Sequence, residues 1–355
     1  MFAAIMAGGS GTRFWPASTA DRPKQFLKLF GDRTMLEHTI DRLSGLAKDS
    51  EIAIVCGEHQ AATALGLVGG RDIAVVAEPV GRNTAACIGL AALRFRHLDP
   101  DEPIAVLPAD HFIADVEGFR RVLAAGATLA RAGGIVTIGV VPTAPETGFG
   151  YIEAGEDCGE ADGVAWRIVR RFVEKPVREI ALEYLASGAH YWNAGIFVFT
   201  ARTILAEIAT CMPELSKGLE RIDAALGTER ERDTIAEVYG GLASISIDYG
   251  VMEKTDAKVF VIPASVGWSD LGSWPALAEL RADEADDRGN IVPYGSVAID
   301  ADACFVISEG DRPVALLGVR DLIVVDAPDG LLIAATDRAQ DVRLVTEQLN
   351  RNSKR

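Results

Sequence analysis

The sequence predicts an α/β fold: a Rossmann-like, mixed and mostly parallel sheet flanked by helices, followed by a small C-terminal all-β domain of short β-helix type. Three observations predict it. Short runs rich in Ile and Val at residues 2–7, 52–56, 73–77, 104–108 and 135–139 read as strands buried on both faces. Between them, residues 35–46, 85–98 and 119–132 carry apolar side chains at helical spacing, and this alternation builds a parallel sheet covered on both sides. From 289 to 335 the rhythm becomes short Val, Ile and Leu runs cut by Gly, Asp and Pro, with almost no helical pattern.

The elements follow in order. The first strand runs into a glycine turn, the third into a Gly-Arg-Asn turn that opens a helix, and the fourth into Asp110. From about Gly150, strands at 151–153, 169–174, 195–200 and 258–263 follow with fewer helices between them, and we read these as mixed or antiparallel additions to the same sheet. An acidic, helix-like stretch ends near Asp287. A terminal helix is expected over about 339–349 and a polar, frayed tail over 350–355. The chain thus divides into a large domain, 1–285, and a small appendage, 286–355, which suits its 355 residues.

Composition narrows the chemistry. A formal charge of −16 with no dense Lys/Arg block opposes a nucleic-acid partner. The same field repels a nucleoside triphosphate, so a site for one must concentrate positive charge and a divalent metal at one point. Cys56, Cys87, Cys158, Cys211 and Cys304 are odd in number and scattered, which fits neither a disulfide framework nor a zinc site. The apolar run at 2–7 has no basic flank and is too short for a signal peptide or a membrane helix, so a cytoplasmic location is expected.

The first strand ends in Gly8-Gly9-Ser10-Gly11-Thr12-Arg13-Phe14-Trp15-Pro16. Glycines at a strand's carboxyl end let backbone N–H groups close around phosphate oxygens, and Arg13 adds a fixed fork for the same anion. Phe14 stands where a dinucleotide-binding GxGxxG would need glycine, and the Gly-Lys-Ser/Thr of a Walker loop is absent. A plain tight turn is the alternative. Downstream, Pro23 stiffens the backbone before Lys24, a candidate point charge for the reacting phosphate or, alternatively, a solvated surface group.

Gly81, Arg82 and Asn83 stand at the sheet's carboxyl edge, where a base can be read, while Asn83 or Thr84 is also placed to cap the helix that follows. Asp110 ends a buried strand, the position where α/β sheets hold metals, and Mg²⁺ suits one or two carboxylates completed by substrate phosphates; a turn former is the alternative. Asp270, between Trp268 and Trp274, follows another strand and is the second candidate, with packing around a tight loop as its alternative. Glu174-Lys175-Pro176, Trp192-Asn193-Ala194-Gly195 and Thr147-Gly148-Phe149-Gly150-Tyr151 suggest a polyhydroxylated, phosphorylated second substrate. No Ser-His-Asp or Cys-His set stands out, in keeping with in-line phosphoryl chemistry.

Taken in order, GGSGTRFWP, RPKQFL, EPVGRNTA, LPADH, GFGYIE, FVEKP, YWNAGIF, SIDYGVMEK and GWSDLGSW resemble the mannose-1-phosphate guanylyltransferases of the sugar nucleotidyltransferase family, from Ala7 to Trp274. The resemblance implies transfer of GMP from GTP to mannose 1-phosphate, with GDP-mannose and pyrophosphate as products. It implies a triphosphate grip from Gly8, Gly9, Gly11, Thr12 and Arg13, and a cation, Lys24, at the α-phosphate. Gly81, Arg82, Asn83 and Pro108 resemble the guanine wall. Asp110 and Asp270 resemble the ligands of Mg²⁺, for which Mn²⁺ or Co²⁺ can substitute. Gly148, Tyr151, Glu174, Asn193 and Gly195 resemble the mannose site, with Lys175 on its phosphate; Arg13, Lys24, Asp110 and Asp270 are the catalytic set.

Phe14, Ala194 and Gly250 stand where leucine, serine and alanine are common in the family, which bears on substrate tolerance and removes no charge. The resemblance is to the short form without a phosphomannose isomerase domain, and a homodimer through the β appendage is expected. Two other readings keep the scaffold: a uridylyl- or thymidylyltransferase acting on glucose 1-phosphate, and a catalytically silent regulatory homologue.

Overall fold

The computed structural model describes residues 1–9, 11–310 and 312–352. Its contacts gather into two compact units, one formed by Met1–Gly8, Thr39–Ala109 and Ile113–Trp268, the other by Gly9–His38, Asp110–Phe112 and the chain from Ser269 on. The two-residue strands β5 (Phe112–Ile113) and β11 (Trp268–Ser269) stand where the chain passes from one unit to the other.

The first unit holds a nine-stranded sheet of β1 (Phe2–Met6), β2 (Ile52–Gly57), β3 (Ala74–Glu78), β4 (Pro103–Pro108), β6 (Ile135–Val140), β7 (Gly150–Ala161), β8 (Val164–Glu174), β9 (His190–Thr200) and β10 (Val259–Pro263). Their order is β3-β2-β1-β4-β9-β6-β10-β8-β7. The first four strands are parallel, β10 is parallel to β6, and β9, β8 and β7 are antiparallel to their neighbours, as the change of rhythm after Gly150 implied. Register decides where chemistry gathers. Met6 pairs with both Val55 and Pro108, and Gly57 with Glu78, so β1, β3 and β4 end at one edge of the sheet, where parallel sheets bind ligands.

Helix Asn83–Arg96 is buried on nearly every side, with Phe95 stacked 4.7 Å from Phe2 of β1. Ala201–Cys211 and Pro213–Ala225 pack against it, and Glu231–Gly241 packs on the second of these and on β3, three helices where fewer were expected. Helix Pro213–Ala225 packs closely on Asn83–Arg96: Leu219 lies so near Gly89 that a Cβ there would meet its Cδ1 at 2.7 Å. Ile204 with Ile208, and Leu215 with Leu219 and Ile222, are buried residues of the first two helices, recurring at helical spacing.

In the second unit, β12 (Val297–Ile299) pairs in parallel with β14 (Ala315–Leu317), and β13 (Phe305–Ser308) with β15 (Leu322–Ala327). Val297 lies beside Ala315 and Phe305 beside Ile323, the same offset in both pairs, as successive turns of a β-helix require. β16 (Gly330–Ala335) closes the sheet antiparallel, and helix Val342–Asn352 follows. Phe14, Leu27, Leu29 and Met35 share this unit's core with Trp274, Phe305, Ile323 and Val325, so the glycine-turn segment is built onto the C-terminal β structure. The last three residues of the expected tail, 353–355, lie outside the described residues.

Candidate active site

Gly11 has φ +56°, and a Cβ there would fall 2.6 Å from the Lys24 amide nitrogen, so only glycine allows the turn to lie against Lys24. Its carbonyl accepts from Phe14 N at 3.1 Å and from the Ser18 hydroxyl, while Gly9 O accepts from Gln25 Nε2 at 3.3 Å. Ser10 and the side chain of Thr12 lie outside the described residues. Phe14 is buried edge-on against Trp274, 4.7 Å between ring centres, which is the packing reason for an aromatic at this position.

Lys24 is no solvated surface group. Its side chain is 6% exposed, and its ammonium donates to Asp110 Oδ2 at 3.0 Å and to the Asp270 carbonyl at 2.5 Å. One buried cation therefore ties together the two aspartates that the sequence singled out. Burial pushes the Asp110 carboxyl upward, but the charges of Lys24 and His111 and the Lys24 hydrogen bond outweigh it and hold the group below its ordinary range. Asp270 Oδ1 accepts from Gly272 N at 3.1 Å, and Leu271 between them adopts φ +48°, a strained left-handed turn. A Cβ on Gly272 would lie 2.8 Å from Asp270 Oδ2 and 3.1 Å from Arg13 Nη1, so carboxylate and guanidinium converge on the space that this glycine leaves open.

At the carboxyl edge of the first unit's sheet, Gly8 sits beside Glu78, whose Oε2 is 3.6 Å from an ideal Gly8 Cβ. Glu78 is 5% exposed, its Oε1 has no hydrogen-bond partner among the described residues, and burial raises the carboxyl to about 7 against a lowering bond from Tyr239. Gly81 is exposed. Arg82 is occupied, donating to the Tyr239 and Gly240 carbonyls at 2.6 and 2.8 Å. Asn83 adopts φ +65° and accepts from the adjacent Thr84 N–H, and Thr84 accepts from Ile247 N at 2.9 Å. The expected capping bonds of Asn83 and Thr84 are thus replaced by a local turn and a tether to a distant segment. Pro108 ends β4, with its Cγ 3.8 Å from an ideal Cβ of Gly195.

Glu174, Asn193 and the glycine turn also meet: a Cβ on Gly150 would strike the Glu174 carboxylate and touch the Asn193 Cβ at 3.4 Å. Lys175, at φ +49°, donates to Glu174 Oε1 at 2.9 Å and stays exposed. Gly148 is exposed in the same loop. Tyr151 is fully buried among Trp192, Tyr184 and Phe149, below the surface that a sugar would reach. Gly195 has φ +65° and donates its N–H to Asn193 Oδ1 at 3.0 Å.

The residues singled out from the sequence thus gather into two sets, a glycine turn with Lys24 and two aspartates, and Glu174 with Asn193. The nucleotidyl transferase family model matches residues 2–287, and the mannose-1-phosphate guanylyltransferase of Escherichia coli (strain K12) is 41% identical over 355 residues, 98% of this chain and 73% of that protein. This chain belongs to the mannose-1-phosphate guanylyltransferase family. The Klebsiella pneumoniae member is 39% identical over 99% of the chain and 74% of its own length. A crystal structure described as a mannose-1-phosphate geranyltransferase from Thermus thermophilus superimposes with a TM-score of 0.87 at 38% identity, covering 98% of this chain and 99% of that one. The MannoseP isomerase/GMP-like beta-helix domain model matches residues 295–349, in agreement with the parallel coil seen there.

Sequence reading assigned no role to one residue that the guanylyltransferase fold places among the expected sugar contacts. Asp248 opens a π-helical turn, Asp248–Met252, and its Oδ1 accepts from Asn193 Nδ2 at 2.7 Å. Burial, then the neighbouring Glu174 charge, raise its carboxyl to about 6. Along the chain it sits in SIDYGVMEK with the look of a helix start; only the pairing with a residue of β9 reveals its position.

Proposed function

We propose that this chain transfers GMP from GTP to mannose 1-phosphate, forming GDP-mannose and pyrophosphate. The observation that carries this reading is the buried Lys24 ammonium shared between Asp110 and Asp270 beside Gly11. A phosphate oxygen of mannose 1-phosphate attacks the α-phosphorus of GTP in line, the bond to the bridging oxygen breaks, and pyrophosphate leaves with that electron pair. The attacking oxygen is already anionic, so no general base is required.

The chain supplies position and charge. Backbone N–H groups of the turn at Gly8, Gly9 and Gly11, with Arg13, hold the triphosphate, and Lys24 offsets charge developing at the α-phosphate. Glu174 and Asn193 orient the sugar and Lys175 its phosphate, while Gly81, Asn83 and Pro108 border the base. Asp110 and Asp270 are hard oxygen donors, and Asp110 is held ionised. Among the described residues no group of three or more His, Cys, Asp or Glu forms a cage, so the pair suits an ion that keeps sites for phosphate and water. Mg²⁺ there, or Mn²⁺ or Co²⁺ in its place, supplies neutralisation of phosphate charge when bound.

We further propose that residues 1–285 act as the catalytic domain in the cytoplasm, and that the appendage pairs two copies. Ile299, Leu317, Leu331 and Ile333 are all more than half exposed on short strands of that appendage, and sedimentation of the Leu317→Glu variant as a monomer would support the pairing. The reaction is tested by incubating the purified chain with each nucleoside triphosphate, mannose 1-phosphate and Mg²⁺ and measuring pyrophosphate. Release with GTP is expected; turnover confined to UTP or dTTP, or none at all, would overturn the reading.

A further inference from the structure

Asn193 carries two N–H donors and a carbonyl oxygen with two lone pairs. The oxygen accepts from Gly195 N at 3.0 Å and from Thr137 Oγ1 at 3.3 Å, so its acceptor capacity is spent. The backbone N–H of Gly195 can only donate, which fixes the oxygen toward it and the NH₂ group toward Asp248. Asp248 Oδ1 then takes one of the two amide protons at 2.7 Å. What remains is a single N–H. On the sequence alone the Asn193 amide offered both donation and acceptance; in the fold it can only donate.

Asp248 is itself held from behind. Ala85 N donates to Ile245 O at 3.2 Å and Ile247 N donates to Thr84 Oγ1 at 2.9 Å, so the segment leading into Asp248 is fastened to the first turn of helix Asn83–Arg96. Gly250, two residues on, lies directly against the Met212 sulfur, where a Cβ would collide. A π-helical turn is uncommon and recurs at functional sites, and here it places the Asp248 carboxyl inward while Tyr249 remains exposed.

We propose that Asp248 is a positioning residue for the sugar phosphate: with the Gly195 N–H it locks the Asn193 amide so that one proton faces a sugar hydroxyl. The inference rests on the reading of Asn193 as a sugar contact. Glu174 beside it offers only acceptors, so a hydroxyl between the two donates to Glu174 and accepts from Asn193, a polarity that a freely flipping amide would not enforce.

The test is a double-mutant cycle read in KM for mannose 1-phosphate, with KM for GTP as the internal control of folding. Asn193→Ala and Asp248→Ala are each expected to raise KM for mannose 1-phosphate by about tenfold, the loss of one hydrogen bond to the sugar, while leaving that for GTP within about twofold. The double variant should rise no further than Asn193→Ala alone, because one residue acts through the other. Asp248→Asn keeps an acceptor oxygen at the same place and should stay within about threefold of the parent, a conservative variant that folds independently of the outcome with alanine. A normal KM for mannose 1-phosphate in Asn193→Ala would sink the sugar-site reading underneath. A raised KM there, combined with additive or absent effects at Asp248, or an Asp248→Asn variant as impaired as alanine, would overturn this proposal alone.

Discussion

Lys24 donates a 3.0 Å hydrogen bond to Asp110 across 86 positions of sequence, with its side chain 6% exposed. A cation so buried persists because its partners are fixed: the Asp110 carboxylate, the Asp270 carbonyl and the face of Phe14, 5.8 Å away. Asp110→Asn removes the charged partner and a candidate metal ligand together. We expect kcat/KM to fall at least about a hundredfold. Stability should fall by only about 1–2 kcal/mol, since the Asp110 side chain is 38% exposed and water screens part of the pair. Thermal unfolding beside a pyrophosphate-release assay separates the two effects.

Gly11→Ala should be more disruptive than its single methyl suggests. The residue has φ +56°, and the new Cβ would fall 2.6 Å from backbone and 2.8 Å from the side chain of Lys24. Neither neighbour is the end of a flexible side chain, so Lys24 itself must move. A loss of about 2 kcal/mol or more in urea unfolding is expected, with a drop in kcat out of proportion to any change in KM for mannose 1-phosphate.

Glu78 gives the stability a pH dependence of predictable sign. Its carboxyl is raised to about 7 in the fold, so between the ordinary carboxylate range and pH 7 the native state holds a proton that the unfolded chain has lost. Stability from this group is therefore greatest at low pH and declines as pH rises through 7. Glu78→Gln cannot ionise. Its unfolding free energy should lie close to the parent's near pH 5 and exceed it near pH 8 by about 2–3 kcal/mol, and equal values at both pH values would contradict the assignment.

Chelation should separate metal from fold. Because the proposed site offers the ion two carboxylates, and no group of three or more His, Cys, Asp or Glu gathers among the described residues, EDTA is expected to stop turnover while leaving circular dichroism unchanged, and added Mg²⁺ or Mn²⁺ should restore activity.

The strands ending at Met6, Glu78 and Pro108 were legible because doubly buried strands leave unbroken apolar runs, and the charged residues just beyond them are conspicuous for the same reason. Lys24 was legible only as a candidate, since a lysine near a proline has the same local pattern whether buried or solvated. The helices Ala201–Cys211 and Pro213–Ala225 were legible as well, since Ile204 with Ile208, and Leu215 with Leu219 and Ile222, recur at helical spacing, and the expectation of fewer helices there was a misreading of that pattern. Asp248 was missed, and Arg82 looked available when its guanidinium is committed to two backbone carbonyls.

By itself, then, the sequence determined the α/β alternation, the β-helix-like appendage, the glycine turn and the residue types able to handle phosphate, because periodicity, turn chemistry and side-chain charge are local properties. Tertiary structure alone decided that Lys24 joins Asp110 to Asp270, that segment 9–38 shares a core with the C-terminal β coil, and that Asp248 restricts Asn193 to a single donor. Each of these is a pairing between distant residues, set by strand register and by the need to satisfy buried polar groups, and no local pattern encodes it.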